Sequence, residues 1–196
     1  HELNWALLGL LNTKYAIHFQ PGLFTNNVKL PNGEFRELLV QDIRIEENPF
    51  PVTPRIFFTK SIIRAEDMKD AIKLLKSTAD KSGGGYLPQI ISVVEGDTNE
   101  KEFFTEGKVS AIFENSKITV NLTPSEKKRF LVLNERYDNQ WKAYDVNKNE
   151  LHIYPTNVFM RGVIIEPNMN QIIFKYEPVI IRIESLILIM VSLTSL

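Results

Sequence analysis

The feature that most constrains this chain is a series of eight short segments, at 89–95, 108–114, 117–122, 129–135, 141–146, 150–154, 159–165 and 171–176. Each is rich in β-branched or aromatic residues, and Asn, Gly, Pro, Asp or Ser stands between one and the next. A strand needs only about four to eight residues, whereas a stable helix takes about ten or more, so the spacing admits strands and leaves little room for helices. Strands this close in sequence pair by hairpins. The expected fold is therefore mainly β, an antiparallel β-sandwich of jelly-roll or Ig-like kind. Asn115-Ser116 and Asn147-Lys148-Asn149 carry the residue types of tight hairpin turns.

Upstream the pattern is mixed, which makes the N-terminal part α+β. Thr13 to Phe19 alternates polar and apolar and reads as a half-buried strand closed by Pro21-Gly22. Residues 24–34 read as a loop with a turn at Pro31-Asn32-Gly33, and strands are expected at 37–46 and 55–64, on either side of a segment that Pro49, Pro51 and Pro54 keep irregular. One amphipathic helix is expected at 66–77. Met68, Ala71, Ile72, Leu74 and Leu75 recur at three- and four-residue steps, with Glu66, Asp67 and Asp70 in the first turn and Lys73 and Lys76 near the end. Gly83-Gly84-Gly85 then reads as a link, because no Lys-Ser or Lys-Thr follows to make a phosphate loop.

Both ends are apolar. Leu3 to Leu11 is broken only by Asn4, without the charged n-region and cleavage site of a signal peptide. From Ser185 to Leu196 the chain is uncharged, twelve residues against the roughly 20 that a spanning helix needs. After Arg182 and Glu184 this reads as a truncated transmembrane helix, or else as a terminal helix or strand docked on the core. Four regions follow: a helix end or membrane-proximal segment at 1–12, the α+β part at 13–86, the sandwich at 87–178, and the truncated transmembrane or membrane-proximal helix at 179–196.

Composition narrows the chemistry. With no cysteine, the chain has no disulfide, thiolate nucleophile or thiolate metal site. Its 23 basic and 24 acidic residues are spread evenly, so no basic face for nucleic acid is visible in the totals. No cofactor is expected. His1, His18 and His152 are too far apart in sequence for a short metal-ligand motif, and a strand-ending turn accounts for Glu95-Gly96-Asp97 at least as well as a cation site does. Asn121-Leu122-Thr123 is a formal glycosylation sequon, a match close to chance in a chain of this size. The residues with ligand-binding chemistry are Tyr137, Trp141, Tyr144, Asn157 and Arg161. Flat aromatic faces suit stacking on sugar rings, and an Arg or Asn nearby can fix hydroxyls. The same Trp141 also fits a place in the sandwich core.

Order and spacing of several motifs resemble the last extracytoplasmic segment of bacterial YfhO-like membrane proteins. The residues concerned are Arg129 to Tyr137, Trp141-Lys142-Ala143-Tyr144, Asn157, Arg161-Gly162-Val163 and Phe174-Lys175-Tyr176-Glu177-Pro178, with Leu10 to Ile17, Asn48-Pro49 and Pro54 to Phe58 upstream. Departures fall in turns: Asn139-Gln140 replaces a proline-glycine, and Asn147-Lys148-Asn149 and Asn168-Met169-Asn170 replace glycine-containing turns. The resemblance implies an extracytoplasmic C-terminal domain at the cell membrane, in a polytopic protein of the glycosyltransferase-C kind. Such proteins are thought to move sugars from polyprenyl-phosphate donors onto cell-surface polymers such as teichoic acids. Implied partners are the membrane, through the flanking apolar segments, and a cell-surface glycan or polyprenyl-phosphate sugar. The acidic loop expected to carry the family's chemistry is not in this sequence, so no residue here is assigned a catalytic role and the fragment is not expected to be catalytic by itself. The alternatives are a carbohydrate-binding β-sandwich module without catalysis, and a structural brace of membrane helices.

Overall fold

A computed structural model describes residues 4–20, 25–29, 35–39, 42–81 and 85–178. The element order is α1 (Trp5–Leu10), β1 (Tyr15–Gln20), β2 (Thr25–Lys29), β3 (Phe35–Leu39), β4 (Asp42–Glu47), β5 (Ile56–Thr59), β6 (Ser61–Ala65), α2 (Met68–Lys81), β7 (Ile91–Glu95), β8 (Val109–Phe113), β9 (Lys117–Leu122), β10 (Arg129–Leu133), β11 (Trp141–Tyr144), β12 (Glu150–Leu151), β13 (Tyr154–Thr156), β14 (Met160–Ile165) and β15 (Gln171–Tyr176). β1 pairs with β4 and β2 with β3, each antiparallel, so these four strands form nested hairpin pairs. The loop expected over 24–34 thus contains a strand, β2, and the single strand expected at 37–46 is two, β3 and β4. Pairing across the ribbon supplies backbone partners that propensity alone does not reveal. The turn at 31–33, the glycines at 83–84 and the apolar segment at 179–196 lie outside the described residues.

The main body has three layers. One sheet has six strands in the order β5-β10-β14-β13-β7-β6, and the other has five in the order β12-β11-β15-β9-β8. Its edge strands β5 and β6 are separated in the chain by Lys60 alone, so the six-stranded sheet must curl until its two edges approach. Residues 101–104 bridge that approach: Ile62 N–H donates to Lys101 O, Phe103 N–H to Lys60 O and Phe104 N–H to Lys128 O. The 13–86 and 87–178 segments interleave in this sheet, since β10 takes β5 as a neighbour and β7 takes β6.

The central strand explains the layering. All five residues of β10 are buried. Phe130 and Val132 join a cluster with Leu10, Ala71, Leu75, Val93 and Met160, while Leu131 and Leu133 face Val120, Val163, Ile172 and Phe174 of the inter-sheet core. A run apolar at every position, Phe130 to Leu133, is what a strand covered on both faces requires. Each such side chain contributes roughly 1.5–3 kcal/mol when removed from water. Gly162 lies in the neighbouring β14, where a Cβ would run into the Phe130 ring and Thr156 Oγ1.

Two features differ from an all-antiparallel sandwich. β6 and β7 are parallel, because α2 lies between them and a parallel pair needs a crossover of that length. The helix starts at Met68 rather than 66. Asp67 Oδ1 accepts from Asp70 N–H at 2.8 Å and Asp70 Oδ2 from Glu66 N–H at 3.2 Å, two capping bonds that leave Glu66 and Asp67 outside the helix. Its buried face is Ala71, Leu75, Thr78 and Ala79, which carries the helix beyond 77, whereas Met68 and Ile72 are exposed. At the N-terminus, α1 docks on the body. Leu10 is fully buried, and its carbonyl accepts from Asn134 Nδ2 at 2.9 Å. Among the described residues no helix is long and apolar enough to cross a membrane.

Candidate functional site

Strand alternation decides which of the five sequence-derived residues meet. In β14, Arg161, Val163 and Ile165 point between the sheets, and in β11 Trp141 and Ala143 do the same. Trp141 and Arg161 therefore converge at one end of the inter-sheet core, with the guanidinium carbon 4.2 Å from the indole centroid. β15 brings a further ring. Trp141 is opposite Tyr176 in the register, and their centroids are 5.4 Å apart, tilted by 54°. Tyr137 packs on the same core from the 134–140 loop. Three bonds fix that loop: Tyr137 N–H to Phe159 O at 2.6 Å, Trp141 N–H to Asp138 O at 3.1 Å and Glu177 N–H to Gln140 O at 2.8 Å.

Arg161 is the least ordinary group in this cluster. It is 3% exposed, and its Nε and Nη1 are buried with no hydrogen-bond partner among the described residues. Burial lowers its pKa from the ordinary arginine value to about 10, and the nearby Glu135 and Asp138 carboxylates act in the opposite direction. It remains a cation at neutral pH. Neither carboxylate bonds to it. Glu135 accepts from Arg55 Nε at 2.6 Å, and Asp138 Oδ1 accepts from Gln140 N–H at 2.8 Å to close the turn. At another end of the same strands Arg129 is buried over the Phe58 ring at 4.7 Å, but its Nη1 reaches Glu106 O at 3.4 Å. Two buried arginines, each against an aromatic face, thus border the inter-sheet core.

Tyr144 and Asn157 are elsewhere. Being an odd number of residues from Trp141, Tyr144 projects from the opposite face of the five-stranded sheet. There its hydroxyl donates to Glu177 Oε1 at 3.1 Å and Lys175 Nζ lies 5.8 Å from its ring. It lines a hollow of about 240 Å³ with Asp145, Val146, Lys148, Ile173 and Lys175. Asn157 is fully buried on the helix-facing side. Its Oδ1 accepts from Val93 N–H at 2.8 Å, its Nδ2 donates to Ser92 Oγ at 3.2 Å, and its own N–H donates to Val93 O at 2.7 Å. An amide engaged in this way holds the turn. That turn is strained, since Asn157 and the β-branched Val158 have φ of 49° and 76°. Phe159, next in line, supplies the carbonyl that anchors Tyr137, so Asn157 acts on the cluster by position.

Three residues of the cluster are absent from the sequence-derived set: Tyr176, Glu135 and Asp138. Tyr176 was within a recognised motif, but only the Trp141–Tyr176 register brings it to the site. Of the other motifs, Asp97 is paired with Arg64, Glu95 has its carboxyl pKa raised by burial and then by Asp67, and His152 meets the Tyr154 ring edge-on at 4.4 Å. Asn121 of the sequon accepts from Gln171 Nε2 across the β9–β15 pair at 2.9 Å.

Comparison with known proteins gives one partial likeness. No protein-family profile matches the chain, and no curated protein does. Three solved structures of the arabinofuranosyltransferase AftD from mycobacteria, two of them classes of a point mutant, are similar to 41% of this chain at 17–18% identity and a TM-score of 0.33. The chain covers 6–7% of the length of AftD. An overlap of that size is local and carries none of AftD's activity to the present site.

Proposed function

We propose that this chain is an extracytoplasmic β-sandwich domain of a YfhO-like bacterial membrane protein, accessory to polyprenyl-phosphate-sugar-dependent glycosylation of a cell-surface polymer. In this reading it faces the glycan through Tyr137, Trp141, Tyr176 and Arg161, and the apolar segments that flank it meet the membrane. The observation that carries the glycan contact is the half-buried Trp141 stacked on a guanidinium whose donors the protein leaves unmet. A planar apolar face beside hydrogen-bond donors is the combination that sugar rings use. The resemblance supports the wider placement, because its strongest stretch, 129–178, contains β10, β11, β14 and β15, which build this end of the sandwich. Catalysis is assigned to no residue.

Titration of the chain with a panel of cell-envelope oligosaccharides, followed by NMR, tests the contact. Wild type and Tyr144→Ala are expected to bind at least one glycan and Trp141→Ala to bind at least tenfold more weakly. Failure of the wild type to bind any glycan removes the reading, and loss in Tyr144→Ala alone moves the contact to the other face of the sheet. A parent protein without multiple upstream spans and an early acidic loop refutes the family placement.

A further inference from the structure

We infer that Arg161 is the binding group for an oxyanion carried by the glycan, either the carboxylate of a uronic acid or a sugar phosphate. This rests on the glycan-facing reading above and specifies its ligand class. The starting point is a mismatch between burial and bonding. A buried cation ordinarily has its N–H groups matched by carboxylates or carbonyls. Arg161 is only 3% exposed, yet Nε and Nη1 have no acceptor among the described residues.

The nearest carboxylates are committed elsewhere, Glu135 to Arg55 and Asp138 to the Gln140 N–H. The Trp141 face at 4.2 Å stabilises the charge but accepts no N–H in the guanidinium plane. An oxyanion supplies what is missing, because its oxygens accept several in-plane N–H bonds and the charge-assisted pairs are about twice as strong as neutral ones. A neutral sugar offers only hydroxyls, which accept more weakly and leave the guanidinium charge uncompensated.

The chain is to be labelled with ¹⁵N-arginine and titrated with three oligosaccharides of equal length and linkage: a neutral glucoside, its glucuronate counterpart and its 6-phosphorylated counterpart. Expected are at least tenfold tighter binding of one anionic form, a preference that weakens with added salt, and a displaced Arg161 Nε–H signal. Which anion wins distinguishes the carboxylate from the phosphate source. Arg161→Met is expected to lose the preference for the anionic form, and Arg161→Lys to keep part of it. Equal binding of all three by the wild type, or an Arg161 signal unmoved by either anion, overturns the inference while leaving the glycan reading in place. Absence of binding by any of the three overturns both. The wild-type arms decide the matter even where a variant fails to fold.

Discussion

Replacing Arg161 with methionine retains an unbranched apolar stem and deletes the guanidinium. For most buried charged groups such a change is destabilising, because a partner is left behind unpaired. Among the described residues Arg161 has no hydrogen-bonded partner, so the reverse is expected. The pKa of Arg161 falls from the ordinary arginine value to about 10, chiefly through burial. That gap corresponds to about 3 kcal/mol by which the native environment disfavours the cation relative to the unfolded chain. Against it stands the contact with Trp141, worth about 1–2 kcal/mol in a desolvated setting. The net expectation is a gain of about 1–2 kcal/mol for Arg161→Met, or about 3–6 °C in the unfolding midpoint for a chain of this size.

The pH dependence follows from linkage. Below about pH 10 Arg161 is protonated in both states, so the difference between wild type and variant should be constant between pH 6 and 9. Above about pH 10 the native state releases the proton while the unfolded state, with an ordinary arginine pKa, keeps it. Wild-type stability from this group rises there, and the difference narrows. Thermal and urea unfolding of both proteins at pH 6, 7.5 and 9 measure this. A loss of 2 kcal/mol or more in Arg161→Met, or a difference that changes across pH 6–9, would refute the reasoning by showing that the guanidinium is paired and stabilising. A gain combined with lost anion preference marks a residue kept for binding at the expense of stability.

Gly162→Ala is expected to cost at least 2–3 kcal/mol, because the new methyl group meets the Phe130 ring and Thr156 inside a packed sheet; urea unfolding reads this, and a loss under 1 kcal/mol contradicts the close approach. Asn157→Ala leaves Val93 N–H without its acceptor and should lower stability by about 2–4 kcal/mol. Near-normal stability in that variant would remove Asn157 as the fastener of the 157–159 turn. For Asp145, bonds from the Asn149 side chain first, and then from the Asn149 and Asn147 backbone, hold the pKa below its ordinary 3.8. Its contribution is therefore complete above that value and disappears as the pH falls through the lowered one. Amide exchange at Asn147 and Asn149 should speed up in Asp145→Ala at pH 7 and differ little from wild type in strong acid. Unchanged exchange at pH 7 would show that the turn does not depend on the carboxylate.

Much of the strand pattern was legible because most strands from β8 onward are short β-branched or aromatic runs bounded by turn residues, although β10 is apolar from Phe130 to Leu133 without alternation and the strand expected at 150–154 divides into β12 and β13. Lys117–Leu122 and Gln171–Tyr176 fall where period two and the flanking Asn residues place them. α2 was legible from its periodicity, though Asp67 and Asp70 compete for the backbone at its start in a way that shifts the boundary by two residues. β2 was not legible, since Thr25-Asn26-Asn27 has the composition of a loop and becomes a strand only through pairing with β3. The parallel β6–β7 pair was hidden as well, because which strands become neighbours across a helix is a property of the sheet.

At the candidate site, the sequence supplied residue types and a local cluster, Tyr137, Trp141, Tyr144, Asn157 and Arg161. Proximity in sequence does not fix proximity in space when side chains alternate across a sheet. The pleat sends Tyr144 to the opposite face from Trp141, the turn buries Asn157 against β7, and the β11–β15 register recruits Tyr176 from 35 positions away. By itself the sequence determined that strands would dominate, that thiol chemistry was absent and that Trp141 and Arg161 were available. Only the tertiary structure decided that these two stack. It also left the arginine's donors unmet, because hydrogen-bond satisfaction depends on every element that surrounds a group and not on its own segment.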